Sequence, residues 1–489
     1  MSFVERTTRA TGSSSSIRGV RSRRSSRRSR LRSTKRCSMT SIGERLPSEK
    51  RRKTGTSSMT SISRTAACVL TGLAFLAPHF AAAQQTISLD EAVQRALGRS
   101  TQMLQQDQMV DNAALAERSA WGAFLPNLSM STGGSLRSAN VLDPNTGQIV
   151  PSSSDSYSAG VSGRVDIFRG GSRFVELDRA DADMQAAVAR RESQRFAVVL
   201  QTKNFFFAAL RQADLLEVAL RRVEQAQQNL EIVRARSQVG RATISDSLRA
   251  RLDVVNARQS VLQNENALRA ARFSLGRQVG EAAPVVPARP SDLAPSELPL
   301  SEAEIMRLAE DASPTVVASA YATRSAAASV RSARTGYLPS LSMNSGYNWN
   351  NQERSFDGGR TSWSLGLSLS YPIFNNFQRE SSLDRAQFSQ RVARLQEDDS
   401  RLAARQEADA ALYNLRTAER AIEIAQEAEL VAGEDLRVVR ERYSVGVATI
   451  LDVLISQNAA DQASVDVVTS RYDYVLARAE LESILGRVL

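Results

Sequence analysis

The 489-residue chain carries 63 Lys and Arg against 52 Asp and Glu, a net charge of +11, but that charge is unevenly spread. Residues 1–83 hold 18 basic and 3 acidic side chains, which leaves 45 against 49 in the other 406 residues and excludes a nucleic-acid reading of the whole-chain charge. Cys37, Cys68 and His79 are the only cysteines and histidine and all lie in this leader, so disulfides, thiolate chemistry, imidazole acid–base work and most transition-metal sites are excluded from the rest.

Residues 1–58 are Ser/Arg-rich and low in complexity, too polar to bury a core, and read as a disordered basic segment produced by start-site choice, with Met59 the true start. Residues 59–83 read as a secretory signal peptide. Arg64 flanks an apolar run from Ala66 to Leu76, and Ala81 and Ala83 precede a cleavage point at Gln84. The run is too short to cross a bilayer as a retained helix.

From residue 84 the chain repeats itself, as units 84–287 and 288–489. "FLPNLSMSTG" at 124 returns as "YLPSLSMNSG" at 337, and "DIFRGGSRFVELDRA" at 166 as "PIFNNFQRESSLDRA" at 372. The offset is 206 from Phe168 to Phe374 and from Gly240 to Gly446, but 213 from Pro126 to Pro339, so the first copy has seven extra residues between Pro126 and Phe168.

Each unit contains two segments of period two, expected as strands at about 126–137 and 157–168, then about 339–349 and 361–373. In "TSWSLGLSLSY", Trp363, Leu365, Leu367, Leu369 and Tyr371 share one face and Ser362, Ser364, Gly366, Ser368 and Ser370 the other. The polar stretches 140–155 and 350–359 read as hairpin loops. Such strands fit either a soluble sheet or a bilayer wall; the signal peptide and the tryptophans in or beside them (Trp121, Trp349, Trp363) favour the wall.

Long helices follow. Residues 172–239 and 378–445 have no proline and almost no glycine, and each leg at about 1.5 Å per residue extends roughly 100 Å. Leu415, Ala418, Ile422, Ala425, Glu429, Ala432, Leu436, Val439 and Tyr443 alternate three- and four-residue steps, and Leu216, Leu220, Val223, Gln227, Leu230 and Val233 follow the same three-and-four rhythm, which predicts coiled-coil packing along both stripes. "SQVGRATISD" and "YSVGVATILD" interrupt the legs at matching places, and helices of roughly forty residues return after them. Pro-rich 283–299 links the units.

The tandem repeat, the "LPxLSM" strand starts, the "VGxAT" interruptions followed by "ILDVL" and the closing "RYDYVLARAELESILG" resemble the TolC family of outer-membrane efflux and export channels, over residues 86–489. The resemblance implies an α+β membrane protein: a homotrimer sharing a twelve-stranded β-barrel, four strands per protomer, in outer-membrane lipid, continued by a hollow periplasmic coiled-coil tunnel. It further implies a passive exit duct, with no enzymatic activity and no cofactor, for cargo delivered by a periplasmic adaptor and an inner-membrane transporter of RND, ABC or MFS type. Asp452 matches the family's ring-forming aspartate at the tunnel entrance. Ile455 stands where some members carry a second acid, Tyr443 and Asp246 match residues of inter-helix links, and Ala448 replaces an arginine of that latch. Val239, Gly240 and Thr243 with Val445, Gly446 and Thr449 resemble adaptor-contact turns. Tyr347, Trp349, Trp363, Tyr371, Phe168 and Phe374 are expected at the lipid interface. The competing reading is a secreted or periplasmic coiled-coil scaffold without a pore, in which Asp452 is an ordinary polar residue near a helix start.

Overall fold

A computed structural model describes residues 86–489, except 291, 292, 297, 354 and 356; the basic segment and signal peptide expected over 1–83 lie outside the described residues. Among the described residues fourteen elements follow one another in two rounds, with helices of equal length and with the longer strands in the first. The first round has β1 (Thr86–Ile87), α1 (Leu89–Arg99), α2 (Thr101–Gly122), β2 (Asn127–Leu142), β3 (Ile149–Arg169), α3 (Ser172–Gln238) and α4 (Ile244–Val279). The second has β4 (Val286–Pro287), α5 (Glu302–Ala312), α6 (Pro314–Thr335), β5 (Ser340–Asn351), β6 (Arg360–Ser370), α7 (Gln378–Ser444) and α8 (Ile450–Leu485). Helices α3 and α7 each have 67 residues and α4 and α8 each have 36, so each long leg runs roughly 100 Å before it reverses. No helix among the described residues is long and apolar enough to cross a membrane.

The helix starts are set by local chemistry. Ser301, Thr243 and Thr449 each accept a hydrogen bond from the third residue of the following helix, whose acidic side chain bonds back to the cap amide. Ser88 caps α1 in the simpler form. Gly280 and Gly486 end α4 and α8 in the left-handed region, where a side chain would be strained.

Strands β2–β3–β5–β6 form one antiparallel sheet with β2 and β6 at its free edges. The ladder assigns the faces. Asn127, Ser129, Ser131, Ser162, Arg164, Asn344, Asn348, Ser362 and Ser364 lie on one side, and Leu128, Met130, Val161, Tyr347, Trp363, Leu365, Leu367 and Leu369 on the other. Ser129 and Ser162 hydroxyls meet at 2.8 Å across the polar face.

Three sequence expectations need correction. The stretch 140–155 is mostly strand: the β2–β3 ladder continues to Leu142 opposite Ile149, and the turn shrinks to 143–148, where Asp143 accepts bonds from Asn145 and Thr146 and Gly147 takes φ +65°. Polarity misled because a strand that extends past a buried zone needs no apolar residues to pair its backbone. The strand expected over 361–373 stops at Ser370, before Pro372, which has no amide for the ladder, so Tyr371 and Phe374 lie beyond it. In the first leg, Leu220 is 51 % exposed and Gln227 is exposed as well. Leu230 and Val233 of the stripe are buried and Leu216 and Val223 half-buried, while Val218, Ala219, Ala226 and Asn229 complete the buried face, because this helix packs against α4 on one flank and α8 on another. The stripe on α7 is buried or half-buried throughout, and its polar member Glu429 accepts a bond from Ser464 of α8 at 2.9 Å.

The linker contributes to the core as well as connecting the units. Val286–Pro287 pairs in parallel with Thr86–Ile87, and Val285 and Ile87 join Phe206, Phe207, Leu275 and Tyr472 in one buried cluster that ties the start of the first unit to α3 and α8. A second cluster, Ile305, Leu412, Leu415, Tyr474 and Leu481, does the same for α5, α7 and α8.

Candidate functional site

The two interruptions are tight five-residue turns at the same end of the molecule. At residues 239–243, Gly240 takes φ +73° and the Arg241 amide reaches back to the Arg236 carbonyl at 2.8 Å; at 445–449, Gly446 takes φ +87° and the Val447 amide reaches Arg442 at 2.9 Å. These six-to-one bonds satisfy carbonyls that the ending helix leaves open, and the left-handed residue makes them possible. The following threonine then caps the next helix, so glycine and threonine reverse the chain within five residues. Val239, Ile244, Val445 and Val447 project outward at 68–77 % exposure, an apolar surface on a turn that its own chain does not cover.

Asp452 is exposed, and its Oδ2 accepts from the Thr449 amide at 2.7 Å and the Thr449 hydroxyl at 2.8 Å. The backbone bond first and the hydroxyl second hold its carboxyl below the usual range, so it is ionised at neutral pH. Asp246 occupies the same position in the other turn, with Thr243 at 3.0 and 2.7 Å, and its carboxyl is likewise held down, by the hydroxyl bond first. The plain capping role is therefore met at Asp452. It leaves the charge intact and facing solvent, with Ile455 exposed one turn further on.

Tyr443 is half-buried against the cluster of Leu230, Val233, Ala250, Val254, Ile450 and Val453. Its hydroxyl is buried without a hydrogen-bond partner among the described residues, and burial pushes its pKa up. At this turn the guanidinium of Arg236 lies 4.5 Å over the Tyr443 ring and donates to the Tyr443 carbonyl, fastening α3 to α7. Arg236 was not singled out in the sequence because a basic residue in the last turn of a helix is ordinary dipole chemistry.

Above this turn lies a polar seam that sequence reasoning also missed. Arg222 of α3 donates to Asn458 at 2.7 Å and sits 3.6 Å from Asp253 of α4 and 3.4 Å from Asp461 of α8. Gln457 donates to Asp461 at 3.0 Å and accepts from Arg440 of α7. Burial pushes the Asp461 carboxyl up and the Arg440 guanidinium down. One arginine thus bridges the α3–α4 pair to α8 through two carboxylates.

At the other end, Tyr347 stands opposite Trp363 on the apolar face, and both are exposed. Phe168 projects from the same face, brought there by a bulge between Asp166 and Phe168. Tyr371 and Phe374 are exposed just beyond the sheet, and Trp349 is half-buried over Gly359.

The sequence profile of the outer membrane efflux protein family matches residues 92–281 and 305–487. The chain is 24 % identical to outer membrane protein TolC of Vibrio cholerae over 409 residues, 82 % of this chain and 90 % of that one. It is 23 % identical to the probable efflux pump outer membrane protein TtgC of Pseudomonas putida, covering 74 % of this chain and 75 % of that protein. Its fold superposes on the Campylobacter jejuni CmeC outer membrane channel with a TM-score of 0.71 at 18 % identity, over 81 % and 85 % of the two chains.

Proposed function

The chain belongs to the outer membrane efflux protein family, and from that premise we propose that it is the outer-membrane exit duct of a tripartite efflux or type I secretion assembly. In this reading a signal peptide over 59–83 directs export, and the two repeats of each protomer supply four strands. Three copies close a twelve-stranded barrel in outer-membrane lipid above a periplasmic helical tunnel. A periplasmic adaptor docks on the turns at Gly240 and Gly446, and an inner-membrane transporter of RND, ABC or MFS type delivers the cargo. The acidic ring at the entrance is Asp452.

The observation that carries the reading is the sheet. Among the described residues it has four strands, both edges unpaired, one face of exposed leucines and aromatics and the other mostly of serine, asparagine, glycine and arginine. Exposed edges invite further strands, and an apolar outer face with a polar inner one is the pattern of a barrel wall. The helices support the same closure: Ile244, Leu248, Leu252, Val255 and Leu262 on α4, and Ile424, Val431 and Val438 on α7 with Val445 just past its end, form exposed apolar stripes at coiled-coil spacing that nothing among the described residues covers. Docking α4 of one copy on α7 of the next buries both.

The test is extraction and conductance. The protein should require detergent, run as a trimer that resists heat dissociation, and conduct ions in planar bilayers. A protein that extracts without detergent and forms no pore belongs to a coiled-coil scaffold instead.

A further inference from the structure

The charges of the sheet are few and one-sided. Among its strand residues the charged side chains are Arg137, Asp155, Arg164, Asp166, Arg169 and Arg360. Arg137 pairs with Ser154, Arg164 with Asn127 and Asn344, Asp166 with Ser342, Arg169 with Ser340 and Arg360 with Asn350, and these are all polar-face positions. Asp155 pairs with Leu136 on the apolar face. The polar face therefore carries four arginines against one carboxylate.

Two of those arginines form a built group. Arg164 Nε lies 3.3 Å from Asp166 Oδ1 and Arg169 Nη1 lies 3.6 Å from Asp166 Oδ2, so one carboxylate is held between two guanidinium groups. Asp166 is the shielded member, its side chain 26 % exposed, while Arg164 and Arg169 are 64 % and 56 % exposed. All three line a cavity of about 840 Å³ at the base of the sheet, where Ser129, Ser162, Asn344 and the end of α2 complete the wall. The bulge makes the grouping possible. Were residue 167 paired in strict alternation instead of bulged, Phe168 would fall on the polar face and Arg169 on the apolar one; with the bulge, Phe168 pairs with Leu341 and Arg169 with Ser340. At the 206-residue offset the second hairpin has Ser370, Pro372 and Asn375, so the group occurs once per protomer.

We propose that Arg164 and Arg169, held around Asp166 at the base of the barrel's polar face, form an anion-selecting site, three of them encircling the lumen. The proposal rests on the pore reading above. A guanidinium presents five N–H donors and stays charged at any working pH, and Asp166 occupies only part of that capacity, so each site retains donors and one net positive charge for carboxylate- or phosphate-bearing solutes in transit. The site lies at the opposite end of the molecule from Asp452, so the duct carries filters of opposite sign in series, and the barrel filter acts on whatever the entrance admits.

The experiment is the reversal potential of the purified trimer in planar bilayers under a potassium chloride gradient, with the dilute side near 0.1 M, where screening extends about 10 Å. It is run on the wild type, on Asp452→Ala, and on Asp452→Ala with Arg164→Gln and Arg169→Gln. The chloride-to-potassium permeability ratio should fall roughly two- to fivefold when the two arginines are neutralised, the scale of losing a few partly screened charges near a pore axis. Arg164→Lys with Arg169→Lys should hold the Asp452→Ala value. An unchanged ratio in the glutamine variant overturns the proposal. If that variant fails to form the heat-resistant trimer, Arg169→Gln alone, which gives up one contact of 3.6 Å, is measured in its place, and again an unchanged ratio overturns it. A wild-type protein with no conductance is a separate failure, one that removes the pore reading and this site with it.

Discussion

Replacing Gly446 by valine isolates the turn's backbone from its packing. A Cβ built at Gly446 meets one neighbour only, Arg236 Nη2 at 3.7 Å, which is ordinary contact, so steric crowding contributes little. The cost comes from φ +87°, where an L residue is strained by about 1–3 kcal/mol, with a β-branched side chain at the upper end. The strain is confined to the turn, because the helices on either side remain packed on their neighbours. It therefore appears as local opening, and 1–3 kcal/mol corresponds to roughly 5- to 150-fold more of the open form.

The readout is hydrogen exchange at the Val447 and Ala448 amides, which donate to the Arg442 carbonyl at 2.9 and 3.3 Å. In the detergent-solubilised protein both should exchange faster by that factor, while sheet amides keep their rates. Gly240→Val, at φ +73° with nothing within 4 Å, should behave alike at Arg241, and Gly446→Asn should fall between. On the docking role proposed for these turns, cargo export should drop with the opening. Unchanged exchange together with normal export would refute both the strain and the docking role.

Lys203 donates to Glu482 at 2.5 Å, and both are largely buried, so Lys203→Met leaves a carboxylate with only the Leu489 amide at 3.3 Å and Arg478 at 4.0 Å. The expected loss is about 3–5 kcal/mol, read as a lower heat-dissociation temperature, and Lys203→Met with Glu482→Leu should recover most of it. Asp452→Ala should abolish block of single-channel conductance by a trivalent cation added on the periplasmic side; equal block in the variant returns Asp452 to its capping role alone. The carboxyl of Asp246 is depressed below its ordinary 3.8, so its cap stabilises fully above that value and is lost as pH falls through the depressed one. Protection of the Asp246 amide should therefore decline on acidification below about pH 4, and Asp246→Asn should remove the dependence. Gly170→Ala should lower thermal stability, since its Cβ would lie 2.8 Å from the Thr335 carbonyl at φ +61°; a neutral result would mean that the junction relaxes freely.

Much of the architecture was legible because it rests on residues with narrow conformational roles. Gly240, Thr243, Gly446 and Thr449 mark the reversals, and the offset of 206 carries the long helices from one unit to the other with equal lengths. What escaped depends on neighbours. Leu220 and Val218 look alike in a heptad, and only the positions of α4 and α8 decide which is covered. Arg222 and Arg236 read as solvated helix positions until a second helix brings Asp253, Asp461 or the Tyr443 ring within reach. A two-residue strand such as Val286–Pro287 has no period at all.

The junctions between strand and helix differ between the two units although one sequence pattern underlies both. Arg173 donates to the Ala123 and Ile167 carbonyls at 3.3 and 2.8 Å and lies 5.1 Å over the Phe124 ring; Arg379, at the equivalent place, donates to Pro372 and Ile373 at 3.0 and 3.4 Å and lies 5.0 Å over Tyr337. The staple is the same, yet the turn it closes is Gly170–Gly171 in one unit and Asn376–Phe377, at φ +55° and +58°, in the other. Gly170 abuts Thr335 and Leu338 of the second unit and has no room for a side chain. Asn376 is exposed and can keep one, and Asn tolerates the left-handed region better than most residues. Phe377 has no such tolerance. Its ring meets Phe374 edge-on at 5.4 Å, a contact of about 0.5–1.5 kcal/mol that offsets part of the 1–3 kcal/mol of backbone strain, and the Arg379 bonds hold the turn closed against the rest. Packing thus accounts for glycine at 170, which meets Thr335 and Leu338, whereas Gly171, the counterpart of Phe377, has open space around it and is favoured by its left-handed backbone alone.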